Sequence, residues 1–197
     1  MKKLLITGFD PFGAATENPS WMAVQELPDR IGAYCLRKLG IPTVFGEAAQ
    51  HVLAEAASYK PDVILCVGLA AGRDAVTPER IAVNIRDARI PDNAGNQPRG
   101  AFVVPEGPAA YFATVPVEAM AQAIRDAGIP GTVSNSAGAF VCNDTLYTLL
   151  HHYANTATRV GFLHVPQIPE QGSPSLPLAQ ITAALTCAIS ALDLQKT

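Results

Sequence analysis

The sequence predicts a single α/β domain in which a mostly parallel, twisted sheet carries helices on both faces. Three observations support this prediction. Short apolar runs bounded by turn residues have no polar face, as is typical of strands in a buried parallel sheet. Amphipathic stretches of helical length alternate with these runs, which favours strand–helix–strand units. The chain has 197 residues, of which 49% are hydrophobic and 16% charged, enough for one substantial core.

Five runs are predicted to be strands. They are KKLLITGF (2–9), VILCVGLA (63–70), IAVNI (81–85), GTVSNS (131–136) and RVGFLHV (159–165). The first run begins with two lysines, as a signal peptide does, but its apolar stretch ends at Thr7-Gly8-Phe9-Asp10. A first β-strand therefore explains these residues better.

Five stretches between or after these runs have helical periodicity. They are PSWMAVQEL (19–27), GEAAQHVLAEAAS (46–58), VEAMAQAIRDAGI (117–129), AFVCNDTLYTLLHHYA (139–154) and PLAQITAALTCAISAL (177–192). Pro19 and Pro177 lie near helix starts and Gly128 lies near a helix end, as helix signals require. The order of elements predicts one three-layer α/β/α domain over residues 1–197.

Two long segments interrupt this pattern and are rich in Gly, Pro, Asn and Asp. They are GFDPFGAATENPS (8–20) and RDARIPDNAGNQPRGAFVVPEGP (86–108). Loops of this length in a compact domain are more often functional than accidental. We therefore expect them to contribute to a binding site.

Composition argues against several classes of function. The formal net charge is -3, and the sequence contains no Lys/Arg cluster, so we expect neither nucleic acid nor a membrane surface as a partner. No apolar run approaches the roughly 20 residues that span a bilayer. The four cysteines lack CxxC spacing, which predicts no zinc site and reduced thiols in a cytoplasmic protein. Cys35, Cys66 and Cys187 are expected to be packing residues.

Cys142 differs from the other cysteines because it lies close to the first turn of a predicted helix. The unpaired N–H groups and the dipole at a helix start favour a thiolate, and the same N–H groups can stabilise an oxyanion. His164 ends the strand that follows this helix. A parallel strand–helix–strand unit brings both residues to the same edge of the sheet, where a Cys–His pair is typical of thiol hydrolases.

The base of such a pair needs a third group that orients its imidazole. Four carboxylates are candidates, and the residues alone do not choose among them: Glu79, Asp87, Asp92 and Asp144. His51, His151 and His152 compete weakly as bases because they lie within or at the far end of predicted helices.

Several blocks of the sequence carry a resemblance to a known family. They are TGFDPFG with ENPS, PTVF, TPERIAVNIRDARIPDNAGNQP, NSAGAFVCN and HVPQIPEQG, and their order and spacing also match. The chain resembles pyroglutamyl peptidase type I, a family of cysteine peptidases that remove pyroglutamate from peptide amino termini. The resemblance implies a phosphorylase/hydrolase-like α/β fold, peptide substrates, no metal or organic cofactor, and a homo-oligomer, either a tetramer or a dimer.

The resemblance also assigns catalytic roles. It implies that Cys142 is the nucleophile, His164 the base and Glu79 the third member of the triad, acting through a thioester intermediate. Arg89 matches a position proposed to help hold the oxyanion together with the Cys142 N–H.

The substrate pocket follows from the resemblance in the same way. The pyroglutamyl ring is a neutral lactam, which suits apolar walls with a few hydrogen-bonding groups. The matching blocks imply that the ring is bound by Phe9, Phe12, Asn18, Thr43, Val44, Phe45 and Val141.

One block departs from the family pattern. Many bacterial members have Gly-Gln-Ala-Gly-Gly-Arg after the second parallel strand, whereas this chain has Gly68-Leu69-Ala70-Ala71-Gly72-Arg73. If the missing glutamine contacts substrate through its side chain, Leu69 changes affinity or leaving-group preference; if its backbone makes the contact, Leu69 changes little.

Two other functions are alternatives. Purine nucleoside phosphorylases share a related architecture, but no glycine-rich phosphate loop of known pattern is present. A non-catalytic binding module would not need a cysteine at a helix start with a matched histidine and glutamate.

Overall fold

The computed structural model describes residues 1–194, in which there are five α-helices. They are α1 Pro19–Glu26, α2 Glu47–Tyr59, α3 Val117–Asp126, α4 Val141–His152 and α5 Leu178–Ser190. All five correspond to predicted helices. Asn18 begins α1 by accepting a hydrogen bond from the Ser20 N–H, and Pro19 occupies the first position of that helix.

The same residues contain eight strands in two sheets. The strands are β1 Lys2–Phe9, β2 Arg30–Ile31, β3 Tyr34–Ile41, β4 Val63–Leu69, β5 Thr77–Pro78, β6 Ile81–Val83, β7 Ala110–Phe112 and β8 Arg159–Val165. The main sheet has the order β2-β3-β1-β4-β8-β5, and β6 pairs with β7 separately. Strands β3, β1, β4 and β8 are parallel, whereas β2 and β5 are antiparallel edges. The predicted α/β class with a mostly parallel sheet is confirmed.

The sequence-based strand assignments need correction, and the short strands β2, β5 and β7 were not among them. Residues 131–136 were predicted to be a strand but make only single bridges, at Gly131 and Ser134. Strand β3 was not predicted, because Arg37 and Lys38 interrupt its apolar pattern. The run at 81–85 does form a strand, β6, but it belongs to the small second sheet.

The two faces of the main sheet pack against different helices. On one face, Leu4, Leu65 and Leu163 pack with residues of α1, α3 and α5. On the other face, Leu5, Ile64 and Phe162 pack with residues of α2 and α4. Successive strand residues point to opposite faces, so the buried central strands are apolar throughout. The helices therefore cover both faces of the sheet, as predicted.

Candidate active site

Cys142 lies at the start of α4 and reaches the carboxyl end of β4. It is the second residue of the helix, whose N-cap is Phe140. A β-carbon at Gly68 would lie only 3.0 Å from Sγ of Cys142 and 2.8 Å from the Phe162 ring. Glycine at position 68 therefore allows the thiol to approach the strand closely.

His164 approaches the same glycine from the neighbouring strand. In the parallel register of β4 and β8, His164 is paired with Gly68. The histidine is only 4% exposed, and its ring centre lies 4.8 Å from that of Phe162. The sequence predicts that Cys142 follows a strand at 131–136, but that strand does not form. The start of α4 places the thiol beside Gly68 of β4 instead.

Within residues 1–194, no hydrogen bond joins the Cys142 thiol to the His164 imidazole. Catalytic hydrogen bonds commonly tighten only when substrate is bound. Both residues lie beside Gly68, Cys142 through its thiol and His164 through the strand register, as a nucleophile and its base require.

Glu79 is brought to His164 by the antiparallel edge strand β5. In that strand Thr77 pairs with His164, and the N–H of Glu79 donates to the carbonyl of Phe162 at 2.9 Å. Oε1 of Glu79 then lies 2.7 Å from Nδ1 of His164. Because the carboxylate occupies Nδ1, it leaves Nε2 as the imidazole nitrogen that can exchange protons with the thiol.

The three other carboxylates considered from the sequence do not contact His164. Asp87 is exposed. Asp92 accepts hydrogen bonds from the N–H groups of Ala94 and Asn96, and Asp144 pairs with Arg86. The geometry therefore favours Glu79 over these alternatives.

Arg73 is part of the site, and the sequence analysis gave it no role. Its guanidinium donates to Oε1 of Glu79 at 2.7 Å and to the carbonyl of Ser136 at 3.0 Å, and it also contacts the Thr77 hydroxyl. The Glu79 carboxylate is fully buried, whereas Arg73 is partly exposed. Its position could have been noticed in the sequence, because Arg73 follows the buried strand β4 by only four residues.

Burial sets the protonation of the site. Burial lowers the pKa of His164, although the hydrogen bond and charge of Glu79 oppose this effect. Burial raises the pKa of Glu79, but the hydrogen bonds from His164 and Arg73 outweigh it, so the net pKa lies below the ordinary value. The buried carboxylate is therefore ionised and the imidazole neutral at pH 7.

The Cys142 thiol is also neutral. Burial raises its pKa to about 12 and the charge of Glu79 adds to the rise, while Arg73 opposes it. Desolvation therefore opposes the thiolate that the helix start was expected to favour. The site is a neutral thiol beside a neutral imidazole, which suits proton transfer during attack.

The start of α4 provides hydrogen-bond donors beside the sulfur. Among the described residues, the N–H groups of Val141, Cys142 and Asn143 donate to no backbone carbonyl, whereas that of Asp144 donates to the carbonyl of Phe140. Such free donors at a helix start can hold an oxyanion. The side chain of Arg89 is exposed and makes no hydrogen bond or ion pair with any other described residue, so its oxyanion role stays a prediction.

Three phenylalanines form a cluster near Cys142, which we call the aromatic cluster. Phe140 lies between Phe12 and Phe45, with ring centres 5.3 and 5.1 Å away. All three are partly exposed. Phe140 was not predicted, although it directly precedes Val141-Cys142 in a glycine-containing block.

Other predicted pocket residues support the site from within the protein. Phe9 is 2% exposed and packs against Phe162, and Val141 is fully buried. The side-chain oxygen of Asn18 caps α1, while its side-chain NH₂ group donates to the backbone carbonyl of Asp10 at 2.8 Å. Direct contacts of these residues with a substrate stay predictions.

Three aspartates hold the segment 43–46, which leads from β3 into α2. Asp10 accepts from the N–H of Thr43 at 2.7 Å, Asp92 from that of Phe45 at 2.9 Å, and Asp144 from that of Gly46 at 2.7 Å. Thr43 also donates its hydroxyl to Asp10. These contacts place Phe45 in the aromatic cluster and leave Val44 buried behind it.

Residues 1–194 contain neither a cluster of metal-binding side chains nor a helix that could span a membrane. No group of three or more His, Cys, Asp or Glu side chains is positioned to hold a metal ion. No helix there has both the length and the apolar character needed to cross a bilayer.

Comparison with known proteins gives a consistent result. The family model described as pyroglutamyl peptidase matches residues 2–195. The chain is 51% identical to the pyrrolidone-carboxylate peptidase of Levilactobacillus brevis, covering 96% of this chain and 97% of that one. It is 48% identical to that of Staphylococcus aureus, with coverage of 96% and 93%.

Solved structures agree with the sequence relatives. The crystal structure of pyroglutamyl peptidase I from Bacillus amyloliquefaciens has a TM-score of 0.95 and 43% identity, covering 100% of this chain and 98% of that one. Pyrrolidone carboxyl peptidase from Thermococcus litoralis has a TM-score of 0.92 and 36% identity, covering 98% and 93%.

Proposed function

The chain belongs to the pyroglutamyl peptidase family, and on that premise we propose that it hydrolyses the bond after an N-terminal pyroglutamyl residue through a Cys142–His164–Glu79 triad. The family membership makes it a cysteine peptidase. The observation that carries the triad is the 2.7 Å contact between Oε1 of Glu79 and Nδ1 of His164. His164 is also the strand partner of Gly68, the residue beside which the Cys142 thiol lies.

The first half of the reaction forms a thioester. Sγ of Cys142 attacks the carbonyl carbon that joins pyroglutamate to the next residue, while its proton passes to Nε2 of His164. The N–H of Cys142 stabilises the oxyanion, and we propose that Arg89 assists it. The charge of Glu79 stabilises the imidazolium. His164 then protonates the leaving nitrogen as the C–N bond breaks.

The second half regenerates the thiol. His164 takes a proton from water as the water oxygen attacks the thioester carbon. The C–S bond breaks, pyroglutamic acid forms, and the proton returns from His164 to Sγ of Cys142. No metal or organic cofactor takes part in these steps.

The aromatic cluster is the proposed binding site for the lactam ring. Phe12, Phe45 and Phe140 provide the apolar surface, and Phe140 lies two residues before Cys142 along the chain. Polar groups of Asn18 and Thr43, beside Phe12 and Phe45, are proposed to recognise the ring amide, with Phe9 and Val141 packed behind.

We also propose that the enzyme works in the cytoplasm as a homo-oligomer, a tetramer or a dimer. The free state of all four cysteines supports a reducing compartment. The oligomer rests on the family resemblance. Light scattering after gel filtration tests it, and a monomer at micromolar concentration would contradict it.

The mechanism is tested with a pyroglutamyl-coumarin amide. We expect Cys142→Ala and Cys142→Ser to lower kcat by at least about 10⁴-fold, because no other group forms the thioester. Circular dichroism spectra should be unchanged. Cys35→Ser and Cys187→Ser are the matched controls and should keep activity. Near-normal turnover by folded Cys142→Ala would rule out the mechanism.

Glu79→Gln tests the third member of the triad. The amide keeps the shape but cannot stabilise the imidazolium, so we expect kcat to fall about 10²- to 10⁴-fold with little change in KM. This loss should be smaller than that of Cys142→Ala. An unchanged kcat would remove Glu79 from the triad.

A further inference from the structure

A cavity of about 470 Å³ lies at the carboxyl end of the sheet, where β4 ends at Leu69 and the chain leaves β8 after His164 and Val165. We call it the leaving-side cavity. Its lining residues come from three segments: the loop before α1, the end of β4 and the chain that follows β8. The first and third of these are joined by a hydrogen bond from the Gln171 amide to the carbonyl of Glu17, at 3.1 Å.

The leaving-side cavity and the aromatic cluster lie toward opposite faces of the sheet. Leu69 ends β4 and lines the cavity. It follows Val67 by two residues, and Val67 packs on the α1, α3 and α5 face. Gly68 points the other way, toward Cys142 on the α4 face. A substrate that reacts beside Gly68 therefore has the aromatic cluster on one side and the cavity on the other.

The need to protonate the leaving nitrogen indicates which part of the substrate extends toward the cavity. His164 must protonate the leaving nitrogen, so that nitrogen lies beside the imidazole. The cavity is lined by Gln167 and Ile168, three and four residues beyond His164, and by Leu69, whose register partner is Val165. With the lactam ring in the aromatic cluster, the peptide after the scissile bond continues over the end of β4 toward these residues.

We propose that the leaving-side cavity binds the first one or two residues of the leaving peptide and favours basic side chains there. This inference rests on the proposed function and adds the substrate class of its second half. The volume lies within the range typical of ligand pockets. The amides of Gln167 and Gln171 can serve the peptide backbone.

The lining explains the preference for basic residues. Glu17 and Glu170 line the cavity and are exposed, and neither carboxylate makes an ion pair or hydrogen bond among residues 1–194. Leu69 and Ile168 add apolar surface. Lysine and arginine combine an aliphatic stem with a charged end, so they can pack on the apolar wall and still reach a carboxylate. An acidic leaving residue meets two like charges instead.

The test isolates charge from shape. It compares kcat/KM for pyroglutamyl-arginine amide with that for the same compound containing citrulline, which has nearly the same length without the charge. A second pair carries alanine before the arginine or citrulline, so both leaving positions are sampled. In the wild-type enzyme at low salt we expect arginine to be favoured about three- to tenfold at one position, as exposed carboxylates allow.

Variants and salt link the preference to the cavity. Glu17→Gln with Glu170→Gln should reduce the arginine/citrulline ratio to about one, and about 0.5 M salt should do the same in the wild type. Glu106→Gln is the matched control, because this exposed glutamate is outside the cavity lining; it should keep the wild-type ratio. The ratio within each variant cancels any general change in activity.

Three results would overturn the inference. A ratio near one at both positions, with pyroglutamyl-coumarin still cleaved, would reject the cavity preference and leave the proposed function intact. A preference that survives in the double variant would place arginine recognition elsewhere. Failure to cleave any pyroglutamyl substrate would reject the function and the inference together.

Discussion

Glu79 receives hydrogen bonds from two nitrogen donors, and these contacts connect Arg73 to the proposed triad. Oε1 of Glu79 accepts from both Nδ1 of His164 and the Arg73 guanidinium, each at 2.7 Å. Arg73 thereby holds the Glu79 carboxylate in place beside His164. Burial lowers the pKa of His164, and the charge of Arg73 adds to that lowering. Arg73 is a positioning residue because it acts through Glu79.

Replacing Arg73 should change the rate and its pH dependence together. In Arg73→Gln we expect kcat to fall roughly tenfold with KM nearly unchanged, because a charged hydrogen bond to the buried Glu79 is lost. Loss of the cation raises the pKa of His164, so the acidic limb of the kcat/KM profile should move to higher pH. Arg73→Lys should restore part of kcat. Arg30→Gln, on β2 at the far edge of the sheet, is the control. A lower kcat with an unmoved acidic limb would assign Arg73 a merely structural role.

The pH profile of the wild-type enzyme follows from the buried imidazole. Burial lowers the pKa of His164 below 6.5, and only the neutral ring can accept a proton. Activity should therefore be constant just below pH 6.5 and decline only as the pH falls through the lower pKa. In stability terms, the unfolded state binds the extra proton first, so the contribution of His164 to stability is present above pH 6.5 and is lost as the pH falls.

Alkylation of Cys142 by iodoacetamide provides a second readout of protonation. The pKa of the thiol is raised to about 12 by burial, so the alkylation rate should keep rising with pH up to pH 9. Subtracting the rate of Cys142→Ala isolates this residue. A plateau that begins below pH 7 would show a resting thiolate–imidazolium pair instead.

At the scale of elements, α1 packs unusually closely against β1. A β-carbon at Gly8 would lie 2.5 Å from Cα of Trp21 and 2.8 Å from the carbonyl oxygen of Ser20. These atoms are backbone, so they cannot rotate away as a side chain can. The loop that carries Phe12 and Glu17 joins these two elements, so the position of α1 also shapes both sides of the site.

Gly8→Ala should therefore destabilise the protein. Displacing α1 from the sheet should reduce the free energy of unfolding by about 1–3 kcal/mol, as overpacking of a core does. Urea denaturation followed by circular dichroism measures this change. Gly40→Ala is the matched control, because the atoms nearest to its β-carbon would be those of the Trp21 ring, at 3.4 Å or more. Equal stability of the two variants would contradict the packing argument.

At the scale of the whole molecule, the two faces of the sheet carry different parts of the candidate site. The α2 and α4 face carries Cys142 and the aromatic cluster, whereas the α1 face carries the leaving-side cavity. The carboxyl ends of the parallel strands lie between the two, as is usual for sites in α/β sheets. Under the two proposals made above, a substrate is recognised on both sides of the scissile bond.

The apolar surface of the aromatic cluster predicts that the enzyme discriminates strongly among amino-terminal residues of its substrates. N-terminal glutamine and proline carry an ammonium, which would have to lie at the aromatic cluster without a free counter-charge. Oδ1 of Asp10, the nearest acidic residue in sequence, already accepts from the N–H and hydroxyl of Thr43. Burying an unpaired charge costs several kcal/mol, so kcat/KM should favour pyroglutamyl amides by about a thousandfold or more.

The measurement compares pyroglutamyl, glutaminyl and prolyl amides with one common leaving group. Values within tenfold of each other would mean that Asp10 pairs with the ammonium. The enzyme would then be a general aminopeptidase.

Much of the fold and of the candidate site can be predicted from the sequence alone. Apolar runs and helical periodicity identified β1, β4, β8 and all five helices, because long-range packing reinforces those local patterns. The resemblance of the blocks around Cys142, His164 and Glu79 identified the family, which the comparisons confirm. It also selected Glu79 from four carboxylates, a choice that the hydrogen bond to Nδ1 supports.

Only the tertiary structure decided the remaining features. Strand β5 has two residues and no pattern of its own, yet its pairing with β8 brings Glu79 to His164. Arg73 and Phe140 acquire their roles through contacts with residues distant in sequence. The neutral thiol of Cys142 depends on burial, which opposes the local effect of the helix start. Each of these features is set by what surrounds a residue in three dimensions, and periodicity and motif spacing carry no record of those surroundings.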